Sequence, residues 1–133
     1  MQVPNFHDGY FDGFWLGPNK SVHLFLRTVS EISYTLVLQN VQALTLSGVK
    51  TGNIILDLVF RSAQQTTSSD MAELYEVDVE AIQTENLLKS ARERDLQILE
   101  LNPSYGAQGL ILFETWGIKE GTRETPVSTP TTK

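Results

Sequence analysis

Between residues 10 and 60 the chain alternates apolar and polar residues with a period of two, and its apolar positions are filled largely by leucine, valine, isoleucine and aromatics. Successive side chains of an extended strand point to opposite faces, so this pattern commits that half of the chain to β-structure with one face buried. Segments 10–16, 21–29, 32–41, 43–49 and 53–60 read as strands. Short polar stretches divide them: "GPNK" at 17–20, Ser30-Glu31, and "KTG" at 50–52 as a tight turn. Val22, Leu24 and Leu26 share one face of the second strand, opposite His23, Phe25 and Arg27, and the third strand fits a hairpin with it. In the fifth strand Ile54, Leu56, Leu58 and Phe60 form an unbroken apolar face. Asp57 then lies between two aliphatics on the other face, where a buried carboxylate requires a partner.

The second half is more varied. "SAQQTTSSD" (62–70) reads as a polar loop, and "AELYEVDVEAI" (72–82) as a further strand with Glu76, Asp78 and Glu80 on its outward face. The period changes at "TENLLKSARERD" (84–95), which reads as a helix of about three turns with Thr84 as its N-cap and i,i+4 charge pairs along it. Segments 96–101 and 110–116 read as a terminal hairpin around a long loop, 102–109. The expected fold class is mainly β, all-β leaning to α+β: an antiparallel sheet, sandwich or partly open barrel with one short helix. A single domain is expected over 5–117, followed by a disordered tail at 118–133 that is rich in threonine and proline.

Several kinds of function conflict with the composition. The 133 residues include no cysteine, which excludes disulfides, thiolate metal sites and a cysteine nucleophile. Neither a secretory leader nor a membrane span is legible, so the expectation is a cytoplasmic protein without membrane contact. Residues 1–69 carry four acids and four bases, whereas residues 70–133 carry twelve acids and six bases and hold the whole net charge of −6. Lys and Arg nowhere cluster as a phosphate-tracking surface requires, which argues against nucleic acid as a partner.

The densest chemistry lies in "FHDGYFDGFWLG" (6–17). His7 with Asp8 and Asp12 is the pattern of a metal site or of a base with its orienting acid, but the spacing lacks the alternating oxygens of a calcium loop. The plainer reading makes Asp8-Gly9 and Asp12-Gly13 a turn and a strand kink. His23, Arg27 and Asp57 form a second polar set, in which Asp57 pairs with Arg27 or His23 if their strands are neighbours. Ser47-Gly48 lacks the glycines of a nucleophile elbow, and "SGVKTGN" lacks the ending of a phosphate loop. The sequence therefore assigns no catalytic residue, metal or cofactor. Tyr10, Phe14 and Trp15, with the acids Glu76, Asp78 and Glu80, form a candidate binding surface.

The stretch "NFHDGYFDGFWLG…VHLFLRT…TLVLQNVQALTLSGVKTGNIILDL", roughly residues 5 to 60, resembles small bacterial β-rich domains that open on an Asn/Phe-His-Asp turn. Some of these are grouped with the immunity proteins of bacterial toxin systems. The resemblance implies His7 and Asp8 as the polar landmark and supplies no reaction for them. The expected function is a non-enzymatic module that binds a protein partner or a second copy of itself, in the immunity-like manner. A ligand-binding or enzymatic site on the His, Asp and Arg cluster, and a homo-oligomeric structural protein, are the alternatives.

Overall fold

The computed structural model describes residues 3–121. Eight strands are present, the first five where they were expected: β1 (Tyr10–Leu16), β2 (Val22–Arg27), β3 (Ser33–Gln39), β4 (Ala43–Ser47), β5 (Asn53–Arg61), β6 (Gln97–Tyr105), β7 (Gln108–Phe113) and β8 (Thr115–Glu120). Two helices, α1 (Ser68–Tyr75) and α2 (Ile82–Glu93), separate β5 from β6. The strands form one antiparallel sheet in the order β4-β7-β6-β5-β1-β2-β3-β8, whose edges do not pair with each other.

This order forces the sheet to curl. Neighbouring strands lie about 4.8 Å apart, so a flat sheet would hold β7 and β8 about 29 Å apart. Only Glu114 joins them, and one residue spans at most about 3.6 Å. The aromatic rings agree: Phe60 of β5 stacks on Trp116 of β8 with centroids 4.8 Å apart, although four steps of the sheet separate the two strands. The β3–β4 and β7–β8 segments are two long bent strands whose ladder runs on through the bend. Glu114 N–H donates to the Gln39 carbonyl (3.0 Å) and Gln42 N–H to the Leu112 carbonyl (2.8 Å).

The concave face encloses the main core, with Phe11, Leu24, Leu26, Leu36, Leu38, Ile55, Leu99, Leu101, Ile111 and Phe113 buried and Phe6 closing one end. A second core lies on the convex face of β6 and β7, where Ile98, Leu110 and Leu112 pack under Met71 and Leu74 of α1 and Ala91 of α2.

Several expectations are corrected: two helices stand where one was expected, and the first begins inside the expected polar loop 62–70. Residues 72–82 are not a strand: α1 occupies their first part, with Thr67 and Asp70 forming a reciprocal capping box and Glu76 ending it in the left-handed conformation (φ 54°). Met71, Leu74 and Tyr75, at helical spacing, override the alternation that follows them. Thr84 does not cap α2, which begins after Ala81; it sits fully buried in the first turn. The expected loop 102–109 is mostly β6, paired with β5 as far as Tyr105. Bulges in β5 break its expected apolar face: Ile55 turns into the core and Leu56 is exposed, while Leu58 and Phe60 remain on the core side.

The last strand runs to Glu120, beyond residue 117 where the domain was expected to end. Residues 122–133, expected as part of a tail, lie outside the described residues.

Candidate functional site

The most fully built polar site is a cavity of about 240 Å³ on the convex face, between α1 and the strands β6 and β7. Arg61, Asp70, Glu73, Glu100, Asn102 and Gln108 supply its polar lining. Strand alternation brings them together: Val59 faces Glu100 and Asp57 faces Asn102 across the β5–β6 ladder, and Leu110 faces Glu100 across β6–β7. Side chains two residues apart share a face, which adds Arg61 and Gln108 to the same side.

Arg61 forks onto Asp70 through two bonds, Nη1 to Oδ2 at 2.7 Å and Nη2 to Oδ1 at 2.8 Å, and Nη1 also donates to the Gln65 carbonyl. Asp70 Oδ2 accepts in addition from the Thr67 amide and hydroxyl. Burial by itself raises the Asp70 carboxyl, but the Arg61 fork and the two Thr67 donors outweigh it and hold the group below its ordinary value. The same fork, against the cost of burial, raises the Arg61 guanidinium, with Glu100 adding to the effect.

On the other side of Arg61, Nε lies 2.6 Å from Glu100 Oε2. That nitrogen is enclosed, and the Glu100 carboxylate is its close ionic partner. Glu100 Oε1 accepts from Asn102 Nδ2 (3.0 Å), which also donates to Asp57 Oδ1 (2.9 Å). Arg61 and Asp70 were not singled out in the sequence. The capping pattern Thr67-x-x-Asp70 before Met71 was the available signal for Asp70; the three-strand meeting of Arg61, Glu100 and Gln108 leaves no local trace.

The residues that the sequence does single out fall into separate places. Arg27 pairs with Asp12 in a bidentate contact (Nε–Oδ2 2.6 Å, Nη2–Oδ1 2.9 Å) and lies 4.4 Å over the Tyr10 ring. The hydrogen bond donated to Asp12 is the main cause that raises this guanidinium. Asp12 sits at a bulge between Phe11 and Gly13, which brings its carboxylate to Arg27 on the neighbouring strand. Asp57 therefore pairs with neither Arg27 nor His23, as the sequence allowed; β1 intervenes between β2 and β5, and Asn102 is its partner.

His23 lies near the far end of β2, 4.8 Å from the Trp15 ring and 3.5 Å from Ser21 Oγ. His7 Nδ1 is 2.7 Å from the Leu56 carbonyl, and Nε2 is 3.5 Å from the Asp8 carboxylate. His7 and Asp57 both line a second, smaller pocket of about 180 Å³. Among the described residues no group of three or more His, Asp or Glu is placed to hold a metal ion.

The candidate binding surface is also divided. Tyr10 lies beneath Arg27, Phe14 is exposed and stacks on Phe11, and Trp15 packs on His23. Glu76, Asp78 and Glu80 lie in the α1–α2 turn, whereas α1 packs on β4 and β7, which are four and three places from β1 in the sheet. No family model, curated protein or solved structure matches the chain. Among the described residues no helix is long and apolar enough to cross a membrane.

Proposed function

We propose that the domain is a protein-binding module that docks a basic partner on the α1–α2 turn. One observation carries the reading: Val79 and Ile82 are 44% and 68% exposed within residues 73–85, a stretch with five acids and no base. Exposed aliphatics ringed by uncompensated carboxylates suit a surface that is both apolar and cationic.

The turn is held in shape before any partner arrives. Val77 N–H bonds the Ala72 carbonyl, Ala81 N–H the Asp78 carbonyl and Glu80 N–H the Asp78 carboxylate, while the buried Thr84 hydroxyl donates to the Asp78 carbonyl. Preformed backbone reduces the ordering cost of association. The resemblance of residues 5 to 60 to immunity-type domains points to the same class of activity. The aromatics of β1 are not part of this surface.

The test uses the full chain as bait in extract of its own host, followed by calorimetry with the captured protein. The Glu76→Lys/Glu80→Lys and Val79→Ser/Ile82→Ser variants change only solvent-facing side chains. The reading expects a basic partner whose affinity falls with added salt and drops at least tenfold in each double variant. A captured protein that binds both variants as tightly as the wild type ends the proposal.

A further inference from the structure

β8 stands at one end of the sheet and pairs with β3 alone, so its other side is an open row of backbone groups. We propose that this edge is a strand-accepting surface whose occupant is residues 123–128 of the same chain, returning antiparallel to β8 through a two-residue turn at Gly121-Thr122. The inference is separate from the acidic α1–α2 turn and does not rest on it.

The ladder fixes which groups are open. Gly121 N–H donates to the Ser33 carbonyl, and the β3–β8 pairing keeps that register as far as Gln39 opposite Thr115. Alternation then directs the backbone groups of Gly117 and Lys119 at β3 and those of Trp116, Ile118 and Glu120 away from the sheet. Beside them lies a pocket of about 340 Å³, lined by Trp116 to Lys119 with Val37 and Gln39. A methyl at Gly117 would meet nothing within 4 Å. An edge of six residues without a bulge or a proline is a template for another strand.

The sequence that follows matches this template position by position. Gly121 holds φ +107°, the sign that the first residue of a two-residue hairpin turn needs. Twelve residues come after it, enough to run back along the six of β8. With Gly121-Thr122 as the turn, Glu120 faces Arg123, Lys119 faces Glu124, Ile118 faces Thr125, Gly117 faces Pro126 and Trp116 faces Val127.

Both charges of β8 then meet opposite charges, and neither has an ion-pair partner among the described residues. Val127 lands beside Trp116 on the core side, where Trp116 stacks on Phe60. Pro126 falls opposite Gly117, in a pair whose backbone groups point away from each other, so its missing N–H costs no bond. Its ring takes the space that Gly117 leaves open beside Val37. Shifting the return by one residue in either direction sets like charges opposite each other, Glu120 with Glu124 or Lys119 with Arg123, and puts Pro126 at a bonding position. One register alone satisfies both constraints. Docked there, the segment closes the row of open groups to strands of other chains.

The isotopically labelled full chain is followed by amide exchange and by cross-strand proton contacts. Expected are Trp116, Ile118 and Glu120 amides protected about tenfold or more over their solvent-exposed rate, with Hα–Hα contacts from Gly117 to Pro126 and from Lys119 to Glu124. Thr125→Pro removes the N–H that bonds the Ile118 carbonyl, and Val127→Asp places a charge against Trp116. Each is expected to abolish the protection and the contacts with the remaining spectrum unchanged, whereas Thr131→Pro, beyond the segment, changes nothing. All three substitutions follow Gly121, so none removes a contact within the described fold. Solvent-rate exchange at these amides in the wild type, or protection that survives either Thr125→Pro or Val127→Asp, would overturn the proposal. Protection lost on dilution would overturn it as well, and would assign the edge to a second copy of the chain.

Discussion

Asp70 joins three parts of the chain: the Arg61 fork fixes the end of β5, and the Thr67 donors fix the start of α1. Removing its charge leaves Arg61 with Glu100 alone, so Asp70→Asn is expected to cost roughly 3 kcal/mol at neutral pH, read by urea denaturation. The pH dependence has a definite sign. The folded-state value lies below the ordinary one, so the folded chain binds fewer protons at this group. Its contribution is present above the unfolded range of about pH 4 and is lost as the pH falls through the folded value. The difference between wild type and Asp70→Asn should therefore shrink on acidification below about pH 4; a gap that stays constant with pH would contradict the assignment.

Asn53 plays a comparable part in the main core. Its Oδ1 accepts from the Lys50 and Ala107 amides and its Nδ2 donates to the Phe11 and Lys50 carbonyls, tying together three chain segments. Asn53→Ala leaves these groups unpaired at a buried site and is expected to cost about 3 kcal/mol. Gly106→Ala should also destabilise, because a methyl there collides with Asn53 Oδ1 and the residue holds φ +93°.

At the scale of elements, the α1–α2 turn depends on one hydroxyl. Thr84→Val keeps the volume but removes the donor to Asp78, so a loss of about 1–2 kcal/mol is expected, with faster amide exchange confined to residues 76–81. Equal exchange rates in wild type and variant would show that the hydroxyl does not hold the turn. The first five strands were legible because each carries its own alternation between turn residues, and their observed ends fall within two residues of the expected ones. Residues 72–82 were misread for an equally local reason: Leu74 to Glu80 alternate, but Met71, Leu74 and Tyr75 also make a helical stripe, and packing on Leu110 and Leu112 decides between the two. The kink read at Asp12-Gly13 is present as a bulge in β1, whereas the register shifts between β5 and β6 were illegible, since they arise from the partner strand.

For the molecule as a whole, closure of the core depends on β8. Ending the chain at Gly117 removes Ile118, which packs on the core, and the ladder opposite Tyr34 to Leu36. It also removes Gly121, whose N–H donates to the Ser33 carbonyl and whose carbonyl accepts from the buried Thr35 hydroxyl. A chain ending at Gly117 is expected to lose roughly 3 kcal/mol or more in urea denaturation relative to one ending at Gly121; equal midpoints would refute this role for the last strand.

By itself the sequence determined that the chain is mainly β, where five strands lie to within two residues, that a helix occupies most of residues 84–95, and that the acids gather in the second half. These are properties of period, propensity and composition, and a short window contains them. Only the tertiary structure decided which strands meet, how the sheet curls through a single residue at Glu114, and that Arg61, Asp70, Glu100 and Gln108 surround one cavity. Strand order joins residues far apart in the chain, and the favourable energy of those meetings comes from contacts that no local window holds.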